Sequence, residues 1–496
     1  MKGSIYGVDI KLTKNDSEIS PVGIEMNGVD FGTDFFKYEE GCRYYKKLAT
    51  VLSACANGKP IFIQSYKDSR PLHVLEKIAQ ETEYREIHKE RRERAEKIAS
   101  YIDESYDFEY SWLDDLLSFN LKNLDKHEEN EERWAEHAAR DLGIPLFLFE
   151  TIAYRREKVI FTLLNGKKQE FSKEDIGLIW AKSPKLYKVP YEYTGLFLNS
   201  SLAELLGDSK PMFREYSERY SQELLECFAP GISYGFGITE KEELLDFLDG
   251  IEGEFVVRKR GGSYCGTGVE IFEKERLMKT LKRPHEEVGN DKKRAMLYYV
   301  MKQVSNGRDL EEFLSVYEEF IPSVPILNSK THQYHDGCIR AVVFKPKDEE
   351  PIFVDAQWRL APAPLDADTS LEEKLRANLS RGATPQDLSD EEIALVSPFA
   401  RGLVEGYEHL IEKMEGYLDT IIPRVNHRER FKMWLIKQNF WGCLLRDQAK
   451  RLGNYESAHI NPDIRIRDLD ETISKQISAW ERVNRLREFA EQYDLG

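Results

Sequence analysis

The sequence predicts a multidomain protein of mixed α/β and α+β class, and three observations carry that expectation. Short apolar runs bounded by glycine, proline or polar residues recur along the first 375 residues, with helical patterns between them. Beyond residue 375 the strand-like runs stop, and helical periodicity with caps takes over. The chain has 496 residues, enough for several domains of roughly 100–200 residues each, with ample buried core.

Residues 1–195 read as an amino-terminal α/β domain. In it, 21–32 is a strand entering a polar glycine loop, 60–64 a short strand, and 144–149 and 176–180 are core strands. A charged helical insertion spans about 81–141; within 89–97 acids interleave with bases, which marks a solvated helix laced with i,i+4 pairs and not a nucleic-acid patch. His127 and the acids after it lack the second histidine of a zinc-protease motif. Residues 376–496 read as a helical carboxy-terminal module, with helices over 389–396, 404–414 and 468–493, and with Trp434, Phe440 and Trp441 packing it. No internal repeat or low-complexity tract is present.

The densest chemical signal lies at 254–269. Phe255, Val256 and Val257 form an apolar strand that delivers Lys259 into a loop containing Gly261, Gly262, Ser263, Gly266 and Gly268, and the chain resumes as a strand at Val269. Glycines let backbone N–H groups approach a phosphate, and the lysine adds a point charge. The lysine precedes the glycines, so this is not a Walker loop, and no helix opens as in a dinucleotide fingerprint. Cys265 in the same loop reads as a small residue in a tight turn, with no base beside it.

Downstream, 315–322 is a strand ending in Glu318, Glu319 and a proline, 337–344 is a strand bearing Arg340, and 352–359 is a strand bearing Asp355, Gln357 and Arg359. Upstream, Asn199 and the stretch Asp208, Ser209, Lys210 precede a helical segment. In this order the elements resemble the ATP-grasp superfamily, the fold of D-alanine–D-alanine ligase, glutathione synthetase and the ribosomal-protein glutamate ligase. The resemblance covers roughly residues 196–365. It implies an ATP-grasp core of two α+β subdomains over 196–375. Lys210 and Lys259 would hold the α/β-phosphates, helped by Gly262, Ser263, Gly266 and Gly268. The hinge strand through Glu318, Glu319 and Ile321 would meet the adenine edge with its backbone. Asp355 and Gln357 would bind magnesium, and Arg340 would be the catalytic residue that steadies an acyl phosphate. Arg359 would clamp a substrate carboxylate or serve as a structural ion pair. Two positions depart from the pattern: Val342 stands where an acid is usual two residues after the arginine, and Gln357 replaces an asparagine.

The resemblance implies an ATP-dependent ligase, with magnesium, that joins a carboxylate to an amine through an acyl phosphate and releases ADP and phosphate. A kinase of the same superfamily and a degenerate nucleotide-binding regulatory protein stay open, the latter on account of Val342. Small-molecule or peptide acids and amines are the expected partners, and self-association is open. The formal charge of −17 argues against general nucleic-acid binding, which needs Lys and Arg to neutralise phosphate. No apolar run approaches the ~18 residues of a membrane helix, and no signal peptide is evident, so a cytoplasmic protein is expected. Six scattered cysteines without CxxC spacing suggest neither a zinc site nor a disulfide framework.

Overall fold

The structure, a computed structural model, describes residues 2–15, 18–27, 38–64, 131–155, 157–181, 189–235, 241–261, 269–282, 314–377, 382–421, 429, 432–437, 439–441 and 444. The chain opens with the paired strands β1 (Gly3–Asn15) and β2 (Glu18–Asn27), then helix α1 (Tyr38–Cys55) and strand β3 (Ile61–Gln64). Helix α2 (Glu131–Asp141) leads into β4 (Leu146–Arg155), β5 (Lys158–Leu163), β6 (Lys168–Ser172) and β7 (Leu178–Trp180). Helices α3 (Ser201–Asp208), α4 (Lys210–Tyr220) and α5 (Gln222–Glu226) follow. Next come β8 (Gly231–Tyr234), α6 (Lys241–Gly250), β9 (Phe255–Arg260), β10 (Val269–Glu273), α7 (Lys274–Leu281) and β11 (Ser315–Glu319). The last part runs β12 (Ile326–Leu327), β13 (Tyr334–His335), β14 (Gly337–Pro346), β15 (Ile352–Leu360), α8 (Leu371–Leu375), β16 (Thr384–Asp387) and α9 (Asp390–Ile421).

These strands make a central antiparallel sheet in the order β16-β15-β14-β1-β2, a small antiparallel sheet β10-β9-β11-β8, and a flanking sheet β6-β5-β4-β3-β7. The two-residue period of a strand sends alternate side chains to opposite faces, and β1 uses it fully. Tyr6, Val8, Ile10 and Leu12 join Ile339, Ala341, Val343, Ala356, Trp358 and Leu360 in a core packed against α9 and α3. The opposite face is divided. At one end Ile5, Val342, Phe344 and Val354 pack with Tyr44, Leu48 and Leu52 of α1; at the other, Asp9, Arg340, Gln357 and Arg359 are buried polar groups.

In the small sheet Val256, Tyr234 and Tyr317 pack on Leu244, Leu248 and Ile251 on its helical side. The alternate residue Lys259 therefore faces the other way, where its ammonium donates to the carbonyl of Ile24 on β2 at 3.0 Å. The flanking sheet is buried on both faces around β3. Ile61 and Ile63 meet the α1 core, while Phe62 stacks on Phe161 at 3.8 Å between ring centroids.

Several sequence expectations match this architecture. The 255–257 strand and its partner at 269 form an antiparallel pair, and strands lie at 61–64, 146–155 and 178–180. α9 covers both expected helices between 389 and 414, and Phe440 and Trp441 are buried in its core with Trp434 against them. One expectation needs correction. Strands do not stop near residue 375, because Thr384–Asp387 pairs with β15 at the edge of the central sheet. One pairing crosses the expected domain boundary: β1 pairs with β14, so the sheet holding Arg340 and Gln357 takes two of its five strands from the first 27 residues. The insertion over 81–130, the glycine loop over 262–268 and the helix over 468–493 lie outside the described residues.

Asn199 shows how the first strand is anchored. Its backbone is left-handed, with φ of 52°, a conformation asparagine tolerates better than most residues. Its buried amide accepts from Ile5 N–H at 2.7 Å and donates to Ile5 C=O at 3.0 Å. Asn199→Ala is expected to destabilise the protein by about 2–4 kcal/mol, since both backbone groups lose partners at roughly 1–3 kcal/mol each. Urea unfolding checks this, and a loss below about 1 kcal/mol would contradict it.

Candidate functional site

The polar half of the central sheet is assembled by register. Glu25 lies opposite Asp9, Asp9 opposite Arg340, Arg340 opposite Gln357, and Gln357 opposite Asp387. Directly paired residues share a face of the sheet, so these five side chains form a row across β2, β1, β14, β15 and β16. Arg359 follows Gln357 by two residues and stands on the same face.

An ion pair occupies the middle of the row. Arg340 donates to both carboxylate oxygens of Asp9, from Nε at 2.5 Å and from Nη2 at 2.8 Å, and Nη1 of Arg359 comes within 3.8 Å of Asp9 Oδ1. Burial alone would push the Asp9 carboxyl upward, but the two guanidinium groups and Lys259 hold it below the usual carboxylate range. Arg359 is lowered to about 10, first by burial and then by repulsion from Arg340. The buried thiol of Cys338, opposite Arg359, is pushed up to about 12, chiefly by burial, which makes it a packing group and not a nucleophile.

The small sheet supplies the facing wall. Lys259 ends β9 beside Glu318 of β11, with Nζ at 2.5 Å from the carboxylate. Burial pulls its ammonium down, but Glu318, Glu25 and Asp9 outweigh that and raise it above the ordinary lysine value. Arg214 of α4 lies 4.0 Å from Glu318. At the rim Lys210, the first residue of α4, pairs with Glu25 at 3.2 Å. Cations and carboxylates alternate among these described residues: Asp9 lies with Arg340 and Arg359, Glu318 with Lys259 and Arg214, and Glu25 with Lys210.

Lys210, Lys259, Glu318, Arg340 and Arg359 are thus linked through Asp9 and Glu25 where two antiparallel sheets meet, and Gln357 is the next residue across the ladder from Arg340. Glu319 points elsewhere, since its carboxylate accepts from Gly253 N–H at 2.7 Å. The backbone N–H groups of Glu319 and Phe320 are taken by the Pro230 and Phe255 carbonyls, and Ile321 follows them. Gly262, Ser263, Gly266 and Gly268 lie outside the described residues. Asp9 and Glu25 were not expected from sequence; no local motif marks them, and only the pairing of the first strand with β14 brings Asp9 to Arg340.

Of the expected magnesium pair, Asp355 and Gln357 stand two residues apart on β15, both buried. The described residues contain no group of three acidic, histidine or cysteine side chains placed to hold a metal. Asp355 Oδ1 accepts from the Ala356 N–H at 3.1 Å and lies 3.8 Å from the ammonium of Lys47. Gln357 has Arg340 and Asp387 as its neighbours across the ladder and Asp355 and Arg359 two residues away along its own strand.

A second polar cluster flanks the row. Lys11 pairs with Asp336 at 2.7 Å and lies 4.0 Å from the ring centre of Phe320, while Asp336 accepts from Ser323 N–H and hydroxyl. These contacts tie the segment after β11 to the central sheet. His335 is buried with Nδ1 at 2.8 Å from the Ala361 carbonyl, and Tyr334 is exposed.

No family model matches the sequence, and no curated protein matches it. Among solved structures, the chain is similar to a protein of Methylobacillus flagellatus KT provisionally assigned as a gamma-glutamylcysteine synthetase, with 11% identity and a TM-score of 0.39 over 84% of this chain and 91% of that one. A likeness that distant carries no argument about this chain. No helix among the described residues is long and apolar enough to cross a membrane.

Asp9→Asn removes the buried carboxylate that both guanidinium groups approach. A stability loss of about 3–5 kcal/mol is expected at neutral pH. Because folding lowers the Asp9 pKa, its contribution is complete above the ordinary carboxyl value of about 3.9 and fades as pH falls through the lower folded value. Unfolding midpoints measured from pH 7 to pH 3 should converge for wild type and Asp9→Asn as acid is added. Parallel curves would contradict the assignment.

Proposed function

We propose that this protein is an ATP-dependent ligase that joins a carboxylate to an amine and releases ADP and phosphate. The observation that carries this reading is the convergence of Lys259, at the end of the strand before a glycine-rich loop, and of Arg340 and Arg359 of the central sheet around the buried carboxylate of Asp9. Such a site suits a polyanionic ligand whose charge shifts during reaction, since phosphoryl transfer depends chiefly on positioning and electrostatic stabilisation.

In this reading Lys259 and Lys210 leave Glu318 and Glu25 to hold nucleotide phosphates. The exchange replaces one anionic partner with another, so neither ammonium is stranded. The acid substrate attacks the terminal phosphorus through a carboxylate oxygen, the bond from that phosphorus to ADP breaks, and an acyl phosphate results. Arg340, held by Asp9, faces the charge that develops on the transferred group and then on the tetrahedral carbon when the amine adds. The amine loses a proton and the C–O bond to phosphate breaks, giving amide and phosphate. Arg359 orients an anionic group of the acid.

Hydroxylamine separates this reading from a kinase acting on an alcohol. With ATP and pools of acids, a ligase gives an acid-dependent hydroxamate even without its natural amine, whereas a stable phosphate ester or an absence of ADP would overturn the proposal. Lys259→Ala should weaken ATP binding by about 1–3 kcal/mol, the size of a charge-assisted hydrogen bond, and unchanged affinity by calorimetry would remove Lys259 from the nucleotide site.

A further inference from the structure

Arg214 of α4 is buried, with 7% of its surface exposed, yet its Nε has no hydrogen-bond partner among the described residues. Two carboxylates stand near it, Glu218 at 3.9 Å from Nε and Glu318 at 4.0 Å from Nη1, and both lie beyond hydrogen-bond distance. Glu218 is one turn along the same helix and half-exposed, whereas Glu318 is largely buried and commits its other oxygen, Oε2, to Lys259 at 2.5 Å. Glu318 therefore sits between two cations, bonded to one and about 1 Å short of a charge-assisted hydrogen bond to the other. The two side chains meet over bare backbone. A Cβ on Gly231, which faces Glu318 across the β8–β11 ladder, would come within 2.7 Å of Glu318 Cγ and 2.8 Å of Arg214 Nη1. Burial pulls the Arg214 guanidinium below the ordinary arginine value, and Glu318 is the stronger of the two attractions opposing it.

We propose that Arg214 is a positioning residue that receives the Glu318 carboxylate when a nucleotide phosphate takes Lys259. The inference rests on the reading of Lys259 as a phosphate ligand. That exchange gives Lys259 a new anion but leaves Glu318 without its ammonium, and a carboxylate stranded at low exposure is costly. A turn of the Glu318 side chain toward Arg214 removes the cost, because the carboxylate gains a charge-assisted hydrogen bond and the guanidinium gains an acceptor in the same movement. Without a ligand, Glu318 occupies Lys259 as a built-in anion, and Arg214 sets how readily it yields. Arg214 touches no ligand in this account and acts only through Glu318.

That last property defines the test, a double-mutant cycle. ATP binding is measured by calorimetry on the full-length protein as wild type, Arg214→Gln, Glu318→Gln and the double variant, each first shown by urea unfolding to fold cooperatively. Glu318→Gln removes the competitor for Lys259, so ATP should bind at least threefold more tightly than to wild type. Arg214→Gln leaves the competitor without its second partner, and affinity should fall at least tenfold. On the Glu318→Gln background the same Arg214→Gln change should cost less than threefold. Arg214→Lys, which keeps a cation, should bind ATP more tightly than Arg214→Gln. A tenfold loss in both backgrounds, or no loss in either, would overturn the proposal. Should Arg214→Gln not fold, Glu318→Gln decides alone, and an affinity no higher than wild type would overturn it. A wild type that binds no ATP, or a Lys259→Ala that binds it unchanged, removes the nucleotide reading and this inference with it; equal losses in both backgrounds remove this inference alone.

Discussion

A doubly hydrogen-bonded ion pair between Asp9 and Arg340, buried where the first strand meets β14, is the constraint around which the cleft is organised. Two charges taken from water must compensate one another closely, or the cost runs to several kcal/mol per ion. The pair meets that demand through geometry, because antiparallel register puts both residues on one face of the central sheet and the guanidinium fork meets both carboxylate oxygens. Everything else in the row is placed relative to it. Gln357 is the next residue across the ladder, Arg359 reaches the same carboxylate, and Lys259 comes down from the small sheet toward β2.

The division of the sheet face follows from the same periodicity. Ile5, Val342 and Phe344 are apolar and sit under α1, while further along the same face the positions become Asp9, Arg340 and Cys338. Val342, an unusual residue if the chain is read through its ATP-grasp resemblance, has a plain packing explanation: it is 1% exposed within the α1 core. An acid there would be buried among Leu48, Leu52 and Phe344, with the penalty of an uncompensated charge.

Much of this was legible in the sequence wherever the signal was local. The strand through Val256 that presents Lys259, its antiparallel partner at Val269, and the long helix after residue 389 follow from apolar spacing within a dozen residues. Arg340, Gln357 and Arg359 were also recognisable as polar groups on otherwise apolar strands. Their partners were not. Asp9 is 331 positions from Arg340, and its surroundings, Gly7, Val8 and Ile10, carry no motif. Strand pairing over that distance is fixed by packing of the whole core, which no local window contains. β16 escaped for a different reason: Thr384, Pro385, Gln386 and Asp387 lack apolar alternation, and a proline is tolerated there because the strand is at the sheet edge.

The central claim is that an anionic group binds where Lys259 and the arginines of the central sheet gather around Asp9. A crystal structure of the protein grown with a non-hydrolysable ATP analogue tests that claim most directly. The account predicts phosphate oxygens between the two sheets, within hydrogen-bond reach of Lys259 and of at least one arginine of the row, with Glu318 turned away from Lys259. An analogue bound outside this cleft, or a cleft that keeps its Lys259–Glu318 pair at saturating analogue, would contradict it.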